Sequence, residues 1–231
     1  MDVEIIREQL KEIRKNIKKA CKKSERNPED VKIIVVTRNQ NVPEIRDVVE
    51  AGCSVFGENR VQEALQKISF CDPELEWHLI GHLQSVKAKA AVKNFDLIHT
   101  VDGLRIGFDL QRACEKEDAE ANILIQINTT GEESQFGVEP SEAIPLLREL
   151  VKCPQVKIRG LMTEFQPLDN PEDSRPFYQA LREVRDEIVR AGLKGVEMKW
   201  LSMGVSHDYI QAVEEGANLI RITSPIFSEE R

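Results

Sequence analysis

The chain has 231 residues, of which 41% are hydrophobic and 31% charged, as expected for a globular rather than a disordered protein. Its formal net charge of −8 argues against a general nucleic-acid binder or a membrane-surface protein, because both need a basic face. The sequence contains no uninterrupted apolar stretch of about 18 residues that could span a membrane, and charges throughout residues 1–25 argue against a signal peptide. The five cysteines have no C-x-x-C spacing and indicate reduced thiols, so we predict a cytoplasmic protein.

The predicted elements alternate between helix and strand along the chain. Residues 3–23 have the spacing of an amphipathic helix. The continuous apolar, β-branched run at 31–37 is typical of a strand buried on both faces, and the segment after it predicts a helix that ends at Gly52. Seven further strands are predicted, separated by helical segments, at 54–59, 76–82, 95–102, 122–130, 156–163, 196–204 and 218–224.

Eight strands that alternate with helices predict either a closed barrel or an open doubly wound sheet. The count of eight favours the barrel, as does the lack of a phosphate-binding G-x-G-x-x-G pattern after the first strand. We therefore predict an α/β protein, one (β/α)8 TIM-type barrel domain over residues 1–231, with residues 3–23 as an extra N-terminal helix. In such a barrel the ligand site lies at the carboxyl ends of the strands.

The carboxyl ends of the seventh and eighth strands suggest an anion site. A Ser/Gly-rich turn follows the seventh strand, which ends near Ser202, and opens a helix whose free N–H groups would favour a phosphate. The guanidinium of Arg221 and the hydroxyls of Ser206, Thr223 and Ser224 could add to such a site. The alternative is that Ser206 is only a helix N-cap and that Arg221 only pairs with a carboxylate.

Several segments together resemble one protein family over nearly the whole chain. They are FGENRVQEAL, EWHLIGHLQS, FDLIHTVD, GEESQFGV, RGLMT, LSMG and LIRI, in this order. They are similar to the pyridoxal phosphate homeostasis proteins, small barrels akin to the N-terminal domain of alanine racemase. The resemblance implies a cytosolic monomer or weak dimer that binds pyridoxal phosphate, with no firmly established turnover. It implies a phosphate held by Ser206, Arg221, Thr223 and Ser224, and a pyridine ring near Asn59. Ser202 is a further candidate cofactor-binding residue.

One departure from the family pattern concerns the cofactor directly. The family's first strand ends in a pattern like A-V-S-K-T-K, in which the first lysine forms a Schiff base, whereas this chain reads V-V-T-R-N-Q. Arg38 takes the place of that lysine, and a guanidinium stays protonated and is a poor nucleophile. Lys32 lies at the opposite end of the strand. We therefore expect no covalent cofactor, and pyridoxal phosphate bound non-covalently at most.

Further departures fall at the same rim of the barrel, at Arg60, Val86, Glu164 and His207, and at Thr223 and Ser228 in the last segment. Because changes that break a pattern tend to cluster at functional sites, we interpret the pocket as re-purposed, in a natural paralogue or by laboratory redesign. The partner would be a small anionic molecule.

Two classes of function remain open at this point. The first is a non-catalytic binder of the anionic molecule. The second is an enzyme in which Glu164 orients His207 as a general base while Arg38 and Arg60 stabilise negative charge. Ser206, His207 and Asp208 are adjacent and cannot form a catalytic triad. The remaining histidines have no metal-binding spacing and are expected to have supporting roles, so we predict no metal site. They are His78, His82 and His99.

Overall fold

The eight strands close into one parallel barrel in chain order, with the last strand paired to the first, in a computed structural model that describes residues 1–227. Closure confirms the predicted barrel and excludes the open sheet. The strands are Lys32–Val36 (β1), Val55–Glu58 (β2), Glu76–Leu79 (β3), Leu97–Val101 (β4), Ala121–Gln126 (β5), Val156–Met162 (β6), Val196–Val205 (β7) and Leu219–Ile222 (β8).

Helices connect the strands around the outside of the barrel. The helix that precedes β1 is the predicted N-terminal one, and its buried stripe of Ile6, Leu10, Ile13 and Ile17 faces the protein. It packs against the second and eighth helices and so covers the junction where β8 meets β1. The helices are Val3–Lys23 (α1), Val42–Glu50 (α2), Val61–Ile68 (α3), Ala88–Asn94 (α4), Leu104–Glu117 (α5), Ala143–Leu150 (α6), Arg175–Ala191 (α7) and Tyr209–Glu214 (α8).

Short 3₁₀ turns lead into several of these helices, at residues 85–87, 140–142 and 171–174, and another precedes β1 at 28–30. Within residues 1–227, none of the helices combines the length and the apolar character needed to traverse a membrane.

The inside of the barrel is layered. Side chains of neighbouring residues in a strand point to opposite faces, so every second residue faces the interior. One apolar layer consists of Ile34, Val55, Leu97, Leu124, Met162 and Leu219, with Trp200 packed against it. Two residues further along β4, β5, β7 and β8 come His99, Gln126, Ser202 and Arg221, all buried. The apolar layer is therefore followed by a polar layer on the side of the carboxyl ends of the strands. We call this carboxyl-terminal opening of the barrel the mouth.

Candidate functional site

Arg221 is the buried cation of the polar layer, with a relative exposure of 3%. Its Nη1 donates to Oγ of Ser202 at 2.8 Å, and its Nη2 donates to the backbone carbonyl of Thr163 at 3.1 Å. Both acceptors are neutral, and no carboxylate within residues 1–227 forms an ion pair with it. The alternative in which Arg221 only pairs with a carboxylate is therefore wrong for this part of the chain. A buried charge without a counter-charge is costly, so the mouth favours a ligand with an acceptor or a negative charge.

A chain of short contacts extends from Arg221 through the interior. Oγ of Ser202 lies 2.9 Å from Nδ1 of His99, and Nε2 of His99 lies 3.0 Å from Nδ1 of His78. Nε2 of His78 lies 2.8 Å from Oε1 of Glu76. Both histidines and Ser202 are completely buried. The chain crosses β8, β7, β4 and β3, so it exists only because the barrel closes.

The chain ends at the amino-terminal side of the barrel. Nζ of Lys32 lies 2.8 Å from Glu76 there, and the hydrogen bonds from His78 and Lys32 lower the pKa of Glu76 to about 2. Burial lowers the pKa of His99 well below its ordinary value, and the nearby His78 and Arg221 lower it further. His99 is therefore neutral at physiological pH.

Gln126 adds an unused acceptor to the same layer. It lies two residues beyond Leu124 in β5 and therefore faces the interior, with a relative exposure of 4%. Its Oε1 has no hydrogen-bond partner within residues 1–227. An unsatisfied buried acceptor is unfavourable, so a ligand that brings an N–H or O–H group to this oxygen would be stabilised.

The predicted phosphate residues lie at the ends of β7 and β8. Oγ of Ser206 accepts a hydrogen bond from the backbone N–H of Thr223 at 3.0 Å, which joins the two strand ends, and Ser224 follows directly. The N-cap of α8 is Asp208, so the alternative role of Ser206 as a helix N-cap is wrong. Gly204, at φ +90°, lets α8 lie close to β7, since a Cβ there would be 2.4 Å from Cβ of Ala212. Ser228, the other altered position of this segment, lies outside the described residues.

Arg38, Asn59 and Arg60 lie together on the β1–β3 side of the mouth. They line a recess of about 450 Å³, which we call the rim recess and which also includes His82 and Lys87. Both arginines are exposed, and Arg60 forms an ion pair with Glu63 at 2.9 Å. The segments that follow β2 and β3 approach closely here. A Cβ on Gly81 would lie only 2.1 Å from the carbonyl oxygen of Asn59, so this position requires glycine.

Glu164 and His207 lie on the other side of the mouth, after the neighbouring strands β6 and β7. Both side chains are exposed. Among the contacts of residues 1–227, no hydrogen bond or ion pair joins them. The arrangement gives no support to a Glu164–His207 general base, and the two residues lie apart from the recess that Arg38 and Arg60 line.

The sequence interpretation missed a buried cluster next to Arg38. Nζ of Lys67 donates to Oε1 of Glu58 at 2.6 Å and to the carbonyl oxygen of Thr37 at 2.7 Å, and the Thr37 hydroxyl donates to the same carboxylate. Glu58 follows Phe56 at an interval of two residues and thus faces the helices, not the barrel interior. A single lysine in the amphipathic segment 61–68 resembles an ordinary surface residue, so the pattern gave no signal for this cluster.

Gln126 was also missed, and His78 and His99 were assigned only supporting roles, although all three had a signal in the sequence. His78, His99 and Gln126 are polar residues at inward positions of the strands EWHL, LIHTV and ANILIQ. Strand alternation could have placed all three in the interior. The pairing between them could not be predicted, because it depends on which strands lie opposite one another.

Comparison with known proteins identifies the family and agrees with the barrel fold. Residues 9–224 match the family model described as alanine racemase, N-terminal domain. A pyridoxal phosphate homeostasis protein from Aquifex aeolicus is 39% identical over 225 residues, which cover 97% of this chain and 98% of the relative. PipY from Synechococcus elongatus, solved with pyridoxal phosphate bound, is 32% identical with a TM-score of 0.83, over 96% of this chain and all of that one. An unknown protein from Bifidobacterium adolescentis is 26% identical, over 97% of this chain and 95% of that one, and its structure has a TM-score of 0.90. The chain therefore belongs to the pyridoxal phosphate homeostasis protein family.

Proposed function

We propose that this chain binds pyridoxal phosphate, or a closely related small anionic molecule, at the mouth without a covalent bond. The observation that carries the proposal is Arg221, a buried guanidinium with neutral protein acceptors and no carboxylate partner within residues 1–227. A ligand with an acceptor or a negative charge would compensate it. The solved structure of PipY with pyridoxal phosphate bound supports the choice of ligand.

The remaining residues of the mouth fit such a ligand. Oε1 of Gln126 offers an unused acceptor in the buried layer. Ser206, Thr223 and Ser224 offer hydroxyls at the ends of β7 and β8, where the fold commonly holds phosphates. When bound, pyridoxal phosphate supplies an electrophilic aldehyde and an electron-accepting ring, while these side chains bind and orient it.

The side chains also explain why the binding would be non-covalent. Arg38 stands where the family pattern has lysine, and its guanidinium cannot act as a neutral amine. Lys67 of α3 is held by Glu58 at the outer face of the barrel, and Lys32 is paired with Glu76 at the opposite end of the barrel. Lys87 in the rim recess is the amine that an experiment must monitor. The side chains at the mouth are the same whether the pocket arose by natural divergence or by redesign, so the proposal does not depend on its origin.

Titration of the purified protein with pyridoxal phosphate, followed by absorbance and by fluorescence of its two tryptophans, tests the proposal. Saturable binding is expected, weakened in Arg221→Gln and retained in Arg159→Gln, a matched charge removal at the amino-terminal side of the barrel. Borohydride reduction and peptide mass mapping should find no stoichiometric adduct on any lysine. A stoichiometric adduct would refute the non-covalent part, and no saturable binding would refute the function.

A further inference from the structure

Glu76, His78, His99 and Ser202 form one buried polar relay that ends at Arg221. In a buried chain of this kind each hydrogen needs an acceptor, and each lone pair that faces a neighbour needs a donor. The two ends are fixed, since a guanidinium can only donate and an ionised carboxylate can only accept. The hydrogens between them are therefore not free to point in arbitrary directions.

With both histidines neutral, only one arrangement satisfies every contact. Arg221 donates to Ser202, the Ser202 hydroxyl donates to Nδ1 of His99, Nε2–H of His99 donates to Nδ1 of His78, and Nε2–H of His78 donates to Glu76. In this arrangement the single hydrogen of Ser202 is already used inside the protein. Its oxygen can then only accept a hydrogen bond from a ligand at the mouth.

One added proton reverses the direction of the two hydrogen bonds that His99 makes, to Ser202 and to His78. Ser202 takes a proton from the mouth and passes its own to Nδ1 of His99, while His99 passes its Nε2 proton to Nδ1 of His78. His78 is then the cation and still donates from Nε2 to Glu76. His99 stays neutral but donates from Nδ1 to Ser202, so the Ser202 hydroxyl is free to donate to a ligand.

We propose that Glu76, His78 and His99 act as a one-proton switch that sets whether Ser202 accepts or donates a hydrogen bond at the mouth. The added charge rests on His78 because the Glu76 carboxylate lies 2.8 Å away, whereas His99 faces Ser202, His78 and the cationic Arg221. Other charged residues surround the Glu76–His78 pair. They are Lys32 of β1, Asp96 before β4, Arg159 of β6, and Glu197 and Lys199 of β7, which line a recess of about 410 Å³ with Glu76.

The switch would make binding depend on the chemistry of the ligand. A ligand that presents an acceptor to Ser202 favours the protonated arrangement and binds with uptake of a proton by His78. A ligand that presents a donor favours the neutral arrangement and binds without proton uptake. His78 and His99 are thus positioning residues that act on the ligand through Ser202.

The ligand-free protein allows a direct test by nitrogen-15 NMR of the imidazole rings. The chain has four histidines, and the two outside the relay, His82 and His207, are exposed and serve as internal references. As pH falls over about 9 to 5, we expect His78 to become a cation while His99 changes from the Nε2–H to the Nδ1–H tautomer with the same midpoint. A His99 tautomer that stays constant, a His99 that becomes a cation, or a His78 that does not titrate would each refute the switch.

Two matched variants separate the relay from the general charge of the recess. Glu76→Gln removes the carboxylate that stabilises the His78 cation, so His99 should keep its Nε2–H tautomer across the same pH range. Glu197→Gln removes the same charge from the same recess without contact with His78, and the tautomer change should persist. Identical behaviour of the two variants would overturn the assignment of Glu76.

A second measurement rests on the proposed function. Calorimetric titration with pyridoxal phosphate, whose oxygens are acceptors, in buffers of different ionisation enthalpy gives the number of protons taken up. For the unmodified protein and for Glu197→Gln, we expect uptake of more than zero and at most one proton per bound ligand. For Glu76→Gln we expect an uptake of about zero. Equal uptake in Glu76→Gln would refute the coupling, whereas a lack of binding would refute only the proposed function and leave the NMR result to decide the switch.

Discussion

Replacement of Lys67 by methionine should destabilise the protein strongly. The ammonium of Lys67 lies 2.6 Å from Glu58, and the two side chains are 11% and 0% exposed. Methionine fills most of the same volume but leaves the Glu58 carboxylate buried without its cation, with only the Thr37 hydroxyl still bonded to it. Removal of one partner of a buried ion pair typically costs about 3–5 kcal/mol. At the roughly 2–4 °C per kcal/mol expected for a chain of this size, the melting temperature should fall by roughly 6–20 °C.

Urea unfolding followed by circular dichroism gives the corresponding free energies. The double variant Lys67→Met with Glu58→Gln should recover a large part of the loss, because no charge then remains buried. Lys67→Arg keeps a cation at this position but replaces the compact ammonium by a guanidinium. Its free energy of unfolding should therefore lie between those of the unmodified protein and Lys67→Met. A loss below about 1 kcal/mol in Lys67→Met, or a double variant less stable than the single one, would refute the view that this pair is a desolvated ion pair.

Three further outcomes are expected. Arg221→Gln should weaken pyridoxal phosphate binding by about 30-fold or more, because a buried charged partner of the ligand is lost, and unchanged affinity in an equilibrium titration would contradict this. Glu76, with its pKa lowered from 4.5 to about 2, contributes stability above pH 4.5 that is lost as pH falls toward 2, so acid unfolding should be less steep over this range in Glu76→Gln. Gly81→Ala should destabilise by about 1–3 kcal/mol, since its Cβ would lie 2.1 Å from the backbone oxygen of Asn59, and an unchanged unfolding midpoint would show that the strand ends can separate freely.

The sequence determined the barrel and its order of elements. Buried parallel strands such as 31–37 form continuous apolar runs, and the helices between them show a different period, so both kinds of element could be recognised from local pattern. The same holds for α1, predicted at residues 3–23 and observed at Val3–Lys23. Family segments along the whole chain gave the relationship that the comparisons confirm.

The tertiary structure decided which polar residues meet. Ser202 and His99 are 103 positions apart and come together only because β4 and β7 face each other across the closed barrel. Whether Arg221 has a carboxylate partner, and whether Glu164 contacts His207, depends on side-chain directions at the strand ends, which no residue spacing specifies. Lys67 looked like a surface residue because burial of its ammonium depends on Glu58 of a different element. Local periodicity is set by neighbours along the chain, whereas the site is set by contacts between strands, and these become fixed only when the barrel closes.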